Sequence, residues 1–228
     1  MNVVAIDGYS ACGKSTLAKD LANHLEWVYV DTGAMYRAVT FYFIQNDLLN
    51  EIDVDLIQRH LDEKIHLKFT LEDGDRILYL NGKNVSTEIR SMEVAQKVSQ
   101  VSALPSVRTA MVQQQRAMGA RQNLIMDGRD IGTVVFPSAF LKIFLTAKTS
   151  IRIERRIKQL KEQGKTVVKK EVAQNLRYRD YYDTTRSHSP LCKAEDAILI
   201  DNSQLSKAEQ NAMVLALIQS RLPLKNGS

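Results

Sequence analysis

Short apolar runs alternate with amphipathic segments along most of the chain. The runs have the length and composition of buried strands, and the segments that follow them carry apolar residues at helical spacing. This alternation predicts an α/β fold, in which a parallel sheet is covered by helices on both faces. The five predicted strands are Val3–Ile6, Val28–Val30, Asn123–Met126, Leu141–Leu145 and Ala197–Ile200.

Periodicity and capping signals mark the predicted helices. Leu17, Leu21 and Leu25 recur at helical spacing directly after the first strand. Ser206 and Glu209 stand three residues apart and form a capping box, which opens the last helix. Between these two, helices are predicted over residues 34–44, 91–103, 105–117, 149–163 and 168–182.

Residues 64–86 interrupt the alternation. They contain two segments in which apolar and polar residues alternate one by one, Ile65–Phe69 and Ile77–Leu80. The dipeptides Asp73-Gly74 and Asn81-Gly82 stand where hairpin turns would join such segments. We therefore predict a small antiparallel sheet, inserted between the first and second halves of the parallel one.

The composition is that of a folded globular protein. The chain has 228 residues, of which 44% are hydrophobic and 25% charged. We see no secretory signal at the start and no run near the roughly 20 apolar residues of a membrane span. Cys12 and Cys192 are too few for a disulfide framework or a zinc site. We expect a cytoplasmic protein that does not bind membranes.

The positive charge is concentrated in one segment. The net charge of +5 at first favours a nucleic-acid binder. Residues 152–186, however, hold eleven Lys and Arg against five Asp and Glu, a net +6, so the rest of the chain is nearly neutral. Tyr181 and Tyr182 in this segment could stack on single-stranded nucleic acid or simply pack. A local excess of cations also suits a site that receives phosphate groups.

The most specific motif runs from Gly8 to Ser15. A glycine, four residues and then Gly-Lys-Ser stand between a predicted strand and a predicted helix, the context of a nucleotide phosphate-binding loop. Backbone amides would hold phosphate oxygens, Lys14 would reach the β- and γ-phosphates, and the Ser15 hydroxyl would ligate Mg²⁺. A chance glycine-rich turn is the alternative. The residues predicted to bind ATP are Gly8, Tyr9, Ser10, Ala11, Cys12, Gly13, Lys14, Ser15 and Thr16.

A phosphate-binding loop identifies a nucleotide and not a reaction. GTPases, helicases and small-molecule kinases all use it. The guanine-reading pattern Asn-Lys-x-Asp is absent from the sequence, and one such loop in 228 residues leaves little room for a helicase. These observations favour a small-molecule kinase.

Two polar segments, Asp31–Arg37 and Asp127–Asp130, follow predicted strands. The carboxyl ends of strands are where open α/β sheets bind ligands. Asp127 is placed to hold Mg²⁺ directly or through water, or else to cap a helix. Arg129 stands between two acids. A purely structural ion pair is therefore the alternative to a role of Arg129 in ligand binding.

A third polar segment contains Arg179, Asp183 and Arg186. Their spacing of four and three residues predicts that they share one helix face. A solvated pair of opposite charges would have the same spacing.

Together these segments resemble the bacterial type of cytidylate kinase, one of the nucleoside monophosphate kinases with a phosphate-binding loop, over nearly the whole chain. The resemblance implies phosphorylation of CMP and dCMP by ATP with Mg²⁺ as cofactor. We further expect a monomer that binds no nucleic-acid polymer. The segments on which the resemblance rests are Asp7–Thr16, Thr32–Arg37, Ile89-Arg90 with Glu93-Val94-Ala95, Ser99 with Arg108, Asp127–Pro137, Arg179–Arg186 and Ser189-Pro190-Leu191.

The resemblance also implies a P-loop kinase fold in a single domain, residues 1–228. Its core comprises residues 1–36, 104–152 and 188–224. A monophosphate-binding subdomain, residues 37–103, is inserted into it and contains the small antiparallel sheet. Residues 153–187 form a lid with its flanking helices.

The roles of individual residues follow from the same resemblance. Lys14, Arg129 and Arg155 are catalytic, and Ser15 and Asp127 hold the metal. Ser99, Arg108 and Asp130 read cytosine, whereas Arg37, Arg129 and Arg186 hold the acceptor phosphate and Arg179 and Asp183 contact the sugar. The residues implied to bind CMP are thus Thr32, Arg37, Ser99, Arg108, Arg129, Asp130, Arg179, Asp183 and Arg186.

Other functions are compatible with part of this pattern. A related kinase could act on UMP, AMP or a metabolite alcohol. Cytosine offers an amino donor to Asp130 where uracil presents a carbonyl, so CMP should be preferred over UMP. A basic ATPase that binds nucleic acid is the non-kinase alternative, and it requires polymer binding that weakens steeply with salt.

Overall fold

The computed structural model describes residues 1–50, 52–72 and 75–222. Its main sheet has five strands in the order β2-β6-β1-β7-β8, and every neighbouring pair in it is parallel. All five predicted strands fall in this sheet, so the predicted parallel α/β sheet is confirmed. The strands are β1 (Val3–Gly8), β2 (Val28–Asp31), β3 (Leu67–Glu72), β4 (Asp75–Leu80), β5 (Lys83–Asn84), β6 (Leu124–Gly128), β7 (Leu141–Thr146) and β8 (Ile198–Asp201).

Helices connect the parallel strands. Among the described residues, none of these helices has the length and apolar character needed to cross a membrane. A short 3₁₀ turn lies at Glu88–Arg90 and a single π-helical turn at Ile131–Val135. The helices are α1 (Lys14–Leu25), α2 (Thr32–Gln45), α3 (Val54–Glu63), α4 (Met92–Ala103), α5 (Pro105–Gly119), α6 (Thr149–Glu162), α7 (Lys169–Thr185) and α8 (Lys207–Gln219).

The central strand β1 divides the core into two apolar layers, because successive side chains of a strand point to opposite faces. Val3 and Ala5 pack into one layer with residues of α2, α5 and the inserted segment. Val4 and Ile6 pack into the other with residues of α1 and α8. The predicted placement of helices on both faces is therefore confirmed.

The inserted sheet has the strand order β3-β4-β5 and is antiparallel, as predicted. The predicted turn at Asn81-Gly82 joins β4 to β5, and both residues have positive φ, 52° and 78°. Such angles at both central positions suit the right-handed twist of a hairpin. The other predicted turn, Asp73-Gly74, lies outside the described residues.

Helices α6 and α7 share an apolar cluster of their own. Ile153 and Leu160 of α6 pack against Val172 and Leu176 of α7, and Ala11 of the phosphate-binding loop lies at the edge of this cluster. Gly164, with φ of 71°, lies in the turn that joins the two helices. The pair thus touches the loop while remaining separate from the two large layers of the core.

The end of β1 requires a glycine. Gly8 has φ of 148°, and a Cβ added there would lie 2.0 Å from the carbonyl oxygen of Leu145 in β7. We expect Gly8→Ala to lower the free energy of unfolding by about 3 kcal/mol, because it combines backbone strain with overpacking. Chemical denaturation measures the change.

Gly82→Ala is the matched control. Gly82 also has positive φ, 78°, but no described heavy atom lies within 4 Å of an added Cβ. Backbone strain alone predicts a loss of about 1 kcal/mol there. Equal losses in the two variants would show that the contact with Leu145 is not the cause.

Candidate active site

The predicted phosphate-binding loop lies between β1 and α1. Lys14 begins α1 and is buried, and its amine donates hydrogen bonds to the carbonyl oxygens of Gly8 and Tyr9 at 2.8 Å each. Burial, helped by the nearby Arg129, lowers the pKa of the Lys14 ammonium. A buried lysine at the start of a helix, with the largely buried Arg129 nearby, forms a site that favours an anion.

Asp127 and Ser15 meet beside this loop. The Ser15 hydroxyl donates to Asp127 Oδ2 at 2.9 Å, and the Tyr29 hydroxyl donates to Oδ1 at 2.9 Å. The backbone carbonyl of Asp127 accepts from the Thr32 hydroxyl at 2.7 Å. Burial raises the pKa of the Asp127 carboxyl, and the charge of Asp31 acts in the same direction.

The chemistry of this pair fits Mg²⁺. A hydroxyl and a carboxylate supply the hard oxygen ligands that Mg²⁺ prefers, and both lie next to the loop that would hold phosphates. Sequence reasoning identified Ser15 and Asp127 but missed Tyr29. Tyr29 lies in β2, the strand that pairs with β6. The sequence does not predict that these two strands are neighbours in the sheet.

A cleft of about 630 Å³ opens over the loop and collects the predicted site residues. Of the predicted residues, all of which the structure describes, Gly8 and Tyr9 alone do not line it. The cleft therefore joins the predicted nucleotide loop and the predicted acceptor residues in one space. The predicted residues that line it are Ser10, Ala11, Cys12, Gly13, Lys14, Ser15, Thr16, Thr32, Arg37, Ser99, Arg108, Asp127, Arg129, Asp130, Arg155, Arg179, Asp183 and Arg186.

One end of the cleft holds a buried ion pair. The guanidinium of Arg108 contacts the carboxylate of Asp130, and each side chain is only 5% exposed. Arg108 also donates to the carbonyl oxygen of Ser102 at 3.0 Å and lies 5.5 Å from the ring centre of Tyr36. Ser99 is buried and lines the same end. Sequence reasoning missed Tyr36 and Ser102, although Tyr36 belongs to a segment that it singled out.

Arg129 links the loop to α7. Its Nε donates to Asp183 Oδ2 at 2.6 Å and its Nη2 to the Ser10 hydroxyl at 2.7 Å. The ion pair is therefore with α7 and not with Asp127 or Asp130, the acids that flank Arg129 in sequence. Arg129 thus lies between the predicted donor and acceptor sides.

Arg37 forms a second pair at the cleft. Its Nη2 lies 2.9 Å from Asp31 Oδ2. Asp31 also caps α2, since its Oδ1 accepts from the backbone N–H of Ala34 at 2.8 Å. The carboxylate is a favoured N-cap, and it holds Arg37 at the edge of the cleft.

The prediction that Arg179, Asp183 and Arg186 share one helix face is wrong for Arg186. Helix α7 ends at Thr185, and Arg186 has ψ of 144°. The side chain of Arg186 still lies close to Asp183, with Nη1 3.8 Å from Oδ1.

Arg179 is another cation of the cleft. Burial and the charge of Arg129 lower the pKa of Arg179 to about 10, which indicates that positive charge exceeds negative charge in this site.

Arg155 and Arg156 extend the cleft along α6. Arg155 donates to the side-chain oxygen of Asn202 at 2.8 Å and to its carbonyl oxygen at 2.9 Å. It also reaches the carbonyl oxygen of Cys12 in the loop at 3.4 Å. Burial lowers the pKa of Arg156, and the charges of Arg37 and Arg90 act in the same direction.

Asp7 anchors the segment that follows Asp130. Its carboxylate accepts hydrogen bonds from the backbone N–H groups of Ile131 at 2.8 Å and Gly132 at 2.7 Å. Burial raises the pKa of the Asp7 carboxyl to about 6, although these two donors oppose the shift. The π-helical turn that presents Asp130 is therefore held by a residue of β1.

This raised pKa predicts a pH dependence of stability. Below about pH 6 the folded protein holds a proton on Asp7 that the unfolded chain releases above about pH 4, so stability falls as the pH rises between these values. From about pH 4 to pH 7 we expect wild type to lose about 2 kcal/mol more than Asp7→Asn. Denaturation curves across this range test it, and parallel pH profiles would contradict it.

Comparison with known proteins identifies the family of this chain. The family model described as cytidylate kinase matches residues 4–220. The cytidylate kinase of Bacteroides fragilis is 50% identical over 223 residues, which cover 96% of this chain and 97% of that one. The cytidylate kinase of Flavobacterium psychrophilum is 48% identical over 220 residues, covering 95% and 97%.

The comparison with solved structures concerns the fold. An uncharacterised protein from Eubacterium ventriosum has a TM-score of 0.53 at 13% identity, over 96% of this chain and 99% of that one. The P-loop kinase fold and the kinase assignment that the sequence implied are both confirmed. The chain belongs to the cytidylate kinase family, whose members phosphorylate nucleoside monophosphates.

Proposed function

We propose that this enzyme transfers the γ-phosphoryl group of ATP to CMP, and also to dCMP, with Mg²⁺ as cofactor. The observation that carries the proposal is the buried pair of Arg108 and Asp130 in the same cleft as the phosphate-binding loop. A carboxylate and a guanidinium match the amino donor and ring acceptors of cytosine. The relatives named cytidylate kinase support the same acceptor.

The acceptor nucleotide would lie between the base-reading pair and the loop. Ser99, Arg108 and Asp130 would contact the base, and Arg179 and Asp183 the sugar. Thr32 would complete the wall of this site, and Arg37, Arg129 and Arg186 would hold the phosphate. These side chains line one cleft, which supports a single acceptor site formed by one chain. We accordingly propose that the monomer is the active unit.

The donor triphosphate would lie in the loop. Backbone amides between Gly8 and Thr16 and the ammonium of Lys14 would bind its phosphates. Mg²⁺ held by Ser15 and Asp127 would neutralise charge on the β- and γ-phosphates. Arg155, which contacts both Asn202 and the loop carbonyl of Cys12, would add positive charge beside the triphosphate.

The reaction needs little acid–base chemistry. The phosphate of CMP is already anionic, so its oxygen can attack the γ-phosphorus without a general base. Catalysis is then in-line positioning together with neutralisation of the charge that spreads over the transferred group. Lys14 and Arg129 carry out the second task, because Lys14 is buried in the loop and the largely buried Arg129 contacts Ser10 of the loop.

Water must be kept from the transferred phosphoryl group. We assign this role to a lid, residues 153–187, that comprises most of α6 and all of α7. The separate apolar cluster between these helices supports its movement as a unit. The core is then residues 1–36, 104–152 and 188–224, and the acceptor-binding insert is residues 37–103.

An acceptor panel tests the proposal. Purified protein is incubated with ATP and Mg²⁺ and with CMP, dCMP, UMP or AMP, and ADP release is followed together with the diphosphate product. We expect CDP and dCDP as the main products and UMP as a poor acceptor. Absence of CDP from CMP would refute the proposal, and preference for AMP or UMP would refute the role of the buried pair.

A further inference from the structure

Tyr29 places its hydroxyl on the carboxylate proposed to hold the metal. Asp127 has two oxygens with different donors, Ser15 on Oδ2 and Tyr29 on Oδ1, each at 2.9 Å. Asp127 itself is buried, with 4% of its surface exposed. The carboxylate is thus held at both ends by hydroxyl groups from two different elements, α1 and β2.

The two hydroxyls differ in position. Ser15 is the second residue of α1 and lines the cleft that contains the loop. Tyr29 lies in β2, and its ring packs against the apolar layer beneath α1. A packed ring fixes the direction of its hydroxyl, whereas a serine hydroxyl can rotate about its Cα–Cβ bond.

This difference determines what Tyr29 can do. A hydroxyl that donates its proton to Asp127 turns its lone pairs away from the carboxylate, and these lone pairs are what a metal requires. Ser15 keeps that orientation only while the carboxylate is prevented from rotating about its Cβ–Cγ bond. A single hydrogen bond to Oδ2 leaves this rotation possible, and the second bond to Oδ1 opposes it.

We propose that Tyr29 is a positioning residue for the metal site: its hydroxyl holds Asp127, and through Asp127 it orients the Ser15 hydroxyl. The inference rests on the proposed Mg²⁺-dependent function. Asp127 needs this hydrogen bond because of Asp31. In the parallel pairing of β2 with β6, Asp31 lies directly beside Asp127. Two carboxylates at one edge of a sheet repel each other, and a hydroxyl donor offsets this for Asp127.

Tyr29→Phe removes the donor and keeps the ring. The probe is Mn²⁺, whose binding to the protein with β,γ-methylene-ATP is measured by electron paramagnetic resonance. We expect about a tenfold loss of Mn²⁺ affinity, since partners of metal ligands contribute 10- to 100-fold. Calorimetric binding of the same analogue without metal, and of CMP, should stay within about twofold of wild type.

Tyr79→Phe is the matched control. Tyr79 also donates to a carboxylate, Glu72 Oε1 at 2.8 Å, but it lies on the inserted sheet outside the cleft. It should leave the Mn²⁺ affinity unchanged. A Tyr29→Phe protein that binds Mn²⁺ as tightly as wild type overturns the inference, as does an equal loss in Tyr79→Phe.

The outcome is separable from that of the proposed function. If wild type makes CDP while Tyr29→Phe keeps full Mn²⁺ affinity, the inference fails and the function stands. If wild type makes no CDP but the Mn²⁺ affinity falls in Tyr29→Phe, the role of Tyr29 stands and the acceptor is wrong. If wild type binds no Mn²⁺ with the nucleotide analogue, the metal site and this inference are both overturned.

Discussion

Removal of the Arg129 guanidinium should lower kcat for CDP formation by about a thousandfold. Arg129 is bonded to Ser10 in the loop and to Asp183 on α7, so it lies between the donor and acceptor phosphates in the proposed complex. Charge stabilisation at that junction is worth 10²- to 10³-fold for a single donor and more for an arginine on a transferred phosphoryl group. Steady-state kinetics of Arg129→Ala measures the loss.

The control for Arg129→Ala removes an equal charge elsewhere. Arg59 is exposed on α3 and does not line the cleft, so Arg59→Ala should leave kcat within about twofold of wild type. Denaturation curves confirm that both variants are folded. A rise in KM for CMP with kcat unchanged would contradict the prediction, because it would make Arg129 a residue that binds the ground state and transition state equally.

The second large effect concerns the choice of base. Asp130→Asn should lower kcat/KM for CMP by about 100-fold, because a charged acceptor for the cytosine amino group is lost. The amide can instead donate to the carbonyl of uracil, so activity with UMP should fall much less or rise. The ratio of the two kcat/KM values is the measurement, and equal losses for CMP and UMP would contradict the base-reading role.

Asparagine is chosen because Arg108 is buried. An alanine at position 130 would leave the Arg108 charge without its partner, which costs about 3–5 kcal/mol in a buried pair. The amide oxygen can still accept from the guanidinium. Binding of an ATP analogue to Asp130→Asn, measured calorimetrically, should match wild type and thereby separates a lost base contact from a disturbed fold.

The features that the sequence predicts best are those whose complete residue pattern lies within one short segment. The loop from Gly8 to Ser15 combines its glycines, its lysine and its flanking elements in one stretch. The buried strands were recognised for the same reason. Asp127 was identified from its position after a predicted strand, but the roles of the acceptor-side residues required the resemblance, because those residues are far apart in sequence and meet only in the fold.

Helix α3 was missed although a local signal existed. Asp53 caps it by accepting from the backbone N–H of Leu56, and Ile57 and Leu61 are its buried residues. Ile57 and Leu61 stand four residues apart, the spacing of one helix face, so the apolar pattern was a second local signal. A search for a capping residue followed by this spacing, between the second strand and the inserted sheet, would have located the helix.

Other features depend on contacts that no local pattern records. The π-helical turn Ile131–Val135 is held by Asp7, a residue of the first strand. Tyr29 reaches Asp127 only because β2 lies beside β6. The position of Arg186 just after the end of α7 is a third case, in which spacing alone had placed it on one helix face with Arg179 and Asp183. Each of these depends on tertiary structure, which overrides local preference.

The central position of β1 has a consequence for biosynthesis. Val3 pairs with Leu124 of β6, and Val4 pairs with Leu141 of β7. During translation this apolar strand therefore emerges long before either of the strands that will cover its edges. Pairing over such separations is slow to form, and unpaired apolar strands are prone to aggregate. We expect the central sheet to assemble late, once β7 has left the ribosome, and the nascent chain to depend on protection until then.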